Sequence, residues 1–252
     1  MKKETRNSLL TKNRLGTIPE ATQEAHHYLE PVKAFARLSY ESVYVIDYTD
    51  MSFEYVSENP LFLCGHTADE VLAMGYQFYF QHVPEKELEL LALINEAGFN
   101  FYEHIPVAER KLYSITYDFH LVHTNGEAIL INHKLTPLFL TGEGRLWKSM
   151  CSVSLSHNKT AGNVRIYKHG SDEVWALNEA TKTWQKLEKP VLTARETEVL
   201  RLYAQGLTIN QIAEKIFVAP DTVKYYRRRI FERLEVSNIV EALSSAVNSK
   251  LI

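Results

Sequence analysis

Apolar residues three and four positions apart organise the C-terminal quarter of this chain, and each run has its own start and stop signals. Thr193 is followed three residues later by Glu196, the reciprocal capping pattern that satisfies free N–H groups at a helix start. Val199, Leu200 and Tyr203 then share one face, and Gly206 ends the run. A second box, Thr208 with Gln211, opens a stripe of Ile209, Ile212, Ala213 and Ile216. A turn over Phe217 to Ala219 leads to Pro220, a residue suited to the first position of a helix. That third helix places Val223, Tyr226, Ile230 and Leu234 on one side. Asp221, Lys224, Tyr225 and Arg228 lie on another, with Arg227 and Arg229 flanking them. From 238 to 252, Val240, Leu243, Val247 and Leu251 again fall at helical spacing. Two short helices, a tight turn and a longer amphipathic helix predict a helix-turn-helix, here with a fourth helix added.

The pattern between about residues 31 and 157 is different. SVYVIDYT and FEYVS are short strand-like runs separated by TDM. Asn59-Pro60 starts a helical stretch through LFLC, and Thr67 or Ala68 opens another that ends near Gly75. Pro84 opens a longer helix through LINEAG, with Gly98 as its stop and an aromatic connector after it. YSITYDFHLV then alternates, with Ile115, Tyr117, Phe119 and Leu121 on one side. Thr124-Asn125-Gly126 signals a hairpin turn. The chain returns with Ile129, Ile131, His133 and Leu135 alternating. After Gly142-Glu143-Gly144, the residues Trp147, Cys151, Val153 and Leu155 share a face. Residues 158–189 hold two strand-like runs around polar turn formers, which predict a connecting hairpin anchored by Trp175 and Trp184. A stiff link of this kind, unlike a Gly/Ser tether, can transmit a change.

With 252 residues the chain has room for two domains, and its apolar and charged fractions are those of a globular protein. Two cysteines, Cys64 and Cys151, lack metal-like spacing and form no disulfide framework, which fits a reducing cytoplasm. No apolar stretch approaches the length of a membrane span, and the charged start lacks the apolar core of a signal peptide. Residues 1–30 read as a lead-in segment. The formal net charge of −3 is unevenly spread: from Pro190 onward the balance is +2, and the rest carries −5. An Arg-rich helix is by itself most simply a solvated face. Arg227 to Arg229 lie in register with the third helix, however, and this favours contact with phosphates.

The stretch from Leu192 to Val236 resembles the DNA-binding domain of the LuxR type, also called the GerE or NarL type. LTARETEVL at 192–200, AQGL at 204–207, Ile212-Ala213 and Thr222-Val223-Lys224 match its motif, as do Arg227, Ile230 and Leu234 at its end, with Arg233 in place of a Lys. The sequence departs from the pattern at Phe217 and Glu235, where glycines are expected, at Ala219 in place of a Ser cap, and at Tyr226 in place of a His. The resemblance implies that the third helix enters the major groove of double-stranded DNA. Lys224, Tyr225 and Arg228 would face bases, and Thr208, Asn210, Thr222 and Arg227 would hold phosphates. It also implies a homodimer paired through the last helix.

FEYVSENPLFLCGHTADEVLAMG, residues 53–75, and the TNGE hairpin resemble a PAS domain. The expected fold is therefore α+β: a PAS-like antiparallel sheet with helices at 31–157, the connector at 158–189, and an all-α four-helix domain at 190–252. The PAS likeness implies a sensor or dimerisation module that receives a small-molecule or protein signal. Neither the reactive-Cys motif of flavin-binding members nor a His on the long helix is present, so no cofactor or metal is assigned. Cys64 and His133 read as core residues, and so do the aromatics Tyr76, Phe78, Tyr79, Phe80, Phe99, Phe101 and Tyr102. VIDYTD resembles the acidic first strand of a receiver domain, but consecutive strands replace the alternation of strands and helices that a receiver needs. No Ser/His/Asp order, paired carboxylates or phosphate-cradling glycine loop argues for an enzyme. The sequence thus reads as a cytoplasmic transcriptional regulator with a sensing domain, or one whose PAS-like domain serves only dimerisation.

Overall fold

The structure is a computed structural model that describes residues 28–188, 190–249, 251 and 252. Of the lead-in, all but its last three residues lie outside that set. Two compact units divide between Leu187 and Glu188.

The first unit is built on one eight-stranded sheet in the order β2-β1-β5-β4-β3-β6-β7-β8. Its strands are β1 (Ser42–Asp47), β2 (Ser52–Val56), β3 (Tyr113–Val122), β4 (Ala128–Leu140), β5 (Leu146–Leu155), β6 (Gly162–Lys168), β7 (Glu173–Asn178) and β8 (Thr183–Glu188). The alternation read from the sequence becomes the core face. Ile115, Tyr117, Phe119 and Leu121 of β3 are buried beside Ile131, His133 and Leu135 of β4 and Cys151 and Val153 of β5. Leu155 is exposed at its strand end, and Trp147 packs on the Phe139 ring after a register shift between Pro137 and Phe139.

Four helices between β2 and β3 cover this face: α2 (Pro60–Leu63), α3 (Ala68–Met74), α4 (Gln77–His82) and α5 (Glu85–Glu103). Asn59 caps α2, and Thr67 with Glu70 forms the capping box of α3. The sequence expectation fails at Gly98, where α5 does not stop but runs on to Glu103. Ala97 and Tyr102 are buried and Phe101 packs on the core, so burial outweighs the roughly 1 kcal/mol that a mid-helix glycine costs. The opposite sheet face carries α1 (Leu29–Leu38), whose Val32 packs with Val43 and Val45. Buried Lys148 pairs with Asp47 at 3.2 Å and Glu54 at 2.5 Å, and Glu54 also accepts from the Tyr28 hydroxyl, which ties the start of α1 to the sheet.

Residues 158–189, expected as a connecting hairpin, carry three strands that continue the sheet, because β6 pairs with β3. Trp175 and Trp184 are its anchors: each ring lies 5.3 Å from that of Phe101, and Trp184 Nε1 donates to the Ala97 carbonyl at 3.2 Å.

The second unit holds α6 (Ala194–Ala204), α7 (Ile209–Lys215), α8 (Pro220–Leu234) and α9 (Ile239–Asn248). Both capping boxes, Thr193/Glu196 and Thr208/Gln211, form as the spacing predicts. Val199, Leu200, Ile212, Ala213, Val223, Ile230, Leu234, Ala242 and Ala246 make its core. Buried Glu196 also receives Arg233 Nε at 3.2 Å, which fixes the start of α6 to the end of α8. The stripe expected along α9 is split. Ala242 and Ala246 are buried with Leu243 against them, Val240 and Val247 point outward, and Leu251 lies past the helix end. Alanines supply a close-packing face that a search for large apolar residues passes over.

Candidate nucleic-acid interface

The packing of α8 sets which side of it faces outward. Val223, Ile230 and Leu234 are buried and Tyr226 packs against them, so the opposite side of a 3.6-residue helix faces solvent. Exposed there are Asp221, Lys224, Tyr225, Arg228 and Glu232. Pro220 occupies the first turn, where its missing N–H costs nothing. Lys224 Nζ lies 2.9 Å from Asp221 Oδ1, an exposed pair that a phosphate or base edge can displace at little cost. Arg228 has no ion-pair partner among the described residues. Arg229 is paired with Glu232 at 2.8 Å.

The expected base-facing residues, Lys224, Tyr225 and Arg228, thus come together on one exposed face, at spacings of one, three and four residues. The expected phosphate contacts are more dispersed. Asn210 is exposed on the first turn of α7. Thr208 caps α7, its hydroxyl accepting from Gln211 N and donating to Gln211 Oε1 at 2.9 Å. Thr222 is half-buried at the edge of α8. Half-buried Arg227 holds its guanidinium 6.0 Å above the Phe231 ring, beside Tyr203. Its stem and ring contact position the charge at the helix flank.

The interior of the first unit holds a polar cluster that sequence reading passed over. Tyr44 OH bonds both Tyr79 OH and, at 2.5 Å, His133 Nε2. Burial pushes the Tyr44 and Tyr79 phenols well above the usual tyrosine range. His133 is fully buried, and burial lowers its pKa to about 3, so it is neutral. Its Nδ1 has no hydrogen-bond partner among the described residues, so the expected satisfied core histidine is only half satisfied there. The one signal present in the sequence was a histidine on the apolar side of a strand. The geometry that makes it polar needs β1, α4 and β4 together. The aromatic set around it is core: Tyr76, Phe78, Tyr79 and Tyr102 are buried, and Phe80, Phe99 and Phe101 pack at its margin. Burial pushes the Cys64 thiol up to about 12, which leaves it protonated and a poor nucleophile. Among the described residues no group of three or more His, Cys, Asp or Glu side chains is placed to hold a metal, and no helix is long and apolar enough to cross a membrane.

Residues 190–246 match the family model for bacterial regulatory proteins of the luxR family. The probable transcriptional regulatory protein NarL of Mycobacterium tuberculosis is 44% identical over 63 residues, covering 25% of this chain and 29% of that protein. The chain therefore spans under a third of the length of that relative. Among solved structures, the Vibrio cholerae VqmA dimer is 17% identical and covers 87% of both chains at a TM-score of 0.35. A light-oxygen-voltage domain is 19% identical, covering 50% of this chain and 84% of its own at a TM-score of 0.36.

Proposed function

We propose that this chain, which carries a LuxR-type helix-turn-helix domain at residues 190–246, is a sequence-specific DNA-binding transcriptional regulator. One observation carries the reading: α8 buries one side in the core of the second unit and presents Lys224, Tyr225 and Arg228 together on the other. A helix of that shape fits the major groove of duplex DNA. Arg or Lys can pair there with guanine edges, and Tyr can make apolar and hydrogen-bonded contacts. Thr208, Asn210, Thr222 and Arg227 fit phosphates on either side. Selection of bound sequences from random duplexes tests this. Enrichment of a defined motif supports it, whereas uniform recovery of all sequences leaves only non-specific binding.

In this reading two copies bind a two-fold symmetric site, paired through the outward residues of α9. Val240 and Val247 are 72% and 61% exposed and lie one heptad apart. The PAS-like unit acts as the sensor, binding a small molecule or partner without chemistry. The half-satisfied cluster of Tyr44, Tyr79 and His133 supports a small molecule that supplies the missing hydrogen bond, because a buried polar atom without a partner costs about 1–3 kcal/mol. DNA affinity measured with and without a small-molecule fraction of cell extract tests the sensor role. Equal affinity in both conditions would make dimerisation the role of this unit.

A further inference from the structure

His66, His82 and His123 stand on different segments of the first unit, and their placement is set by backbone. Cys64 and Gly65 leave α2 with positive φ angles of 53° and 93°. A Cβ on Gly65 would sit 2.2 Å from Thr124 Oγ1, so this turn is pressed against the β3–β4 hairpin and admits only glycine. Thr124 N donates to the Cys64 carbonyl at 2.9 Å, and His66 N to that of Leu63 at 2.9 Å. His66 is thereby held facing the last turn of α4, where His82 lies packed on Phe78 with ring centroids 4.7 Å apart.

The two Nε2 atoms are 3.0 Å apart. His82 Nδ1 lies 2.7 Å from the Val122 carbonyl, which only accepts, so Nδ1 carries the hydrogen and neutral His82 aims a lone pair from Nε2. His66 Nδ1 lies 3.8 Å from Glu70 Oε2. We propose that the facing Nε2 atoms of His66 and His82 bind a divalent transition-metal ion such as Zn²⁺. Two imidazole nitrogens on a tetrahedral zinc, each about 2.0–2.1 Å from it, are about 3.3 Å apart, so a few tenths of an ångström of ring movement admits the ion. The outer nitrogen of each ring is already turned towards a carbonyl or carboxylate, the arrangement that fixes the tautomer of a ligating histidine. Metal binding shifts one hydrogen from His66 Nε2 to His66 Nδ1, towards Glu70, with no net proton loss. His123 adds a neighbouring imidazole whose Nε2 is buried without a hydrogen-bond partner among the described residues. Two side-chain donors leave the other coordination positions to water, so the site is open. It goes beyond the regulatory reading and does not depend on DNA binding.

Titration of the chelator-treated full chain with Zn²⁺ alone, against a chromogenic indicator, tests the site. The expected result is saturable uptake of one ion per chain. His66→Ala should weaken it by roughly tenfold or more, and Glu70→Gln, which keeps a capping acceptor, by a smaller factor. His104→Ala should leave it unchanged, since that exposed ring bonds the Asn100 carbonyl and stands apart from the His66–His82 pair. A variant-independent readout is the nitrogen NMR signal of the imidazoles in the parent chain, where Nε2 of His66 and His82 should shift on adding Zn²⁺. Absence of saturable uptake, uptake unaffected by His66→Ala, or unmoved Nε2 signals would each overturn the site.

Discussion

Phe217 and Glu235 hold left-handed backbone, with φ of 56° and 55°, at the turn before α8 and at its C-terminal cap. These are the two positions where the LuxR-type pattern carries glycine. A side chain in this conformation costs about 1–2 kcal/mol, part of which glycine returns through its floppier unfolded state. Phe217→Gly and Glu235→Gly should each therefore stabilise the protein by about 0.5–1 kcal/mol, read as a higher urea midpoint at unchanged slope. The Phe217 ring is 94% exposed, so its removal forfeits little packing. Lower midpoints in both variants would contradict the strain. His133 gives a pH signature. Folded, it stays neutral down to about pH 3, whereas the unfolded chain protonates it near 6.5. Between these values the unfolded state binds the extra proton, so stability falls with falling pH, by about 1.4 kcal/mol per unit from this group. In His133→Gln the slope of unfolding free energy between pH 4 and 6 should flatten by about one proton. An unchanged slope would place the His133 ring in contact with solvent.

At the scale of elements, legibility followed locality. Thr193/Glu196, Thr208/Gln211, Thr67 and the Asn125-Gly126 turn are local signals, and each appears where the sequence places it. The misread elements were decided by distant partners. The last turn of α5 exists because Phe101 meets two tryptophans more than seventy residues away, and β6 joins the sheet because β3 offers an open edge. Neither can be seen in a short window. Trp184 ties β8 to α5 through its ring and its indole hydrogen bond, so Trp184→Ala should cost on the order of 2–3 kcal/mol, measured by chemical unfolding. A loss near zero would mean that β8 is not anchored. For α9, a double substitution of Val240 and Val247 by Glu should weaken self-association in sedimentation while leaving the helical circular dichroism intact. Retained self-association would move the dimer contact elsewhere.

Over the whole molecule, the candidate interface was more legible than the polar cluster inside the first unit. The first-turn proline, the apolar periodicity and the basic residues of α8 lie within fifteen consecutive residues, Pro220–Leu234, whereas the interior cluster is assembled from Tyr44, Tyr79 and His133 on three elements. The charge distribution fits the proposed reading: the C-terminal unit is mildly basic and the remainder acidic, a balance that would favour approach of DNA to the C-terminal unit. The central claim is that the outer face of α8 reads duplex DNA. The most direct measurement is the affinity of the full chain, Arg228→Ala and Arg227→Ala for a selected duplex and a scrambled one, across a series of salt concentrations. The account predicts that Arg228→Ala loses about 1–3 kcal/mol on the selected duplex and narrows its advantage over the scrambled one. Arg227→Ala should weaken both duplexes alike and reduce the salt slope by about one. Parent-like affinity of both variants at every salt concentration would contradict it.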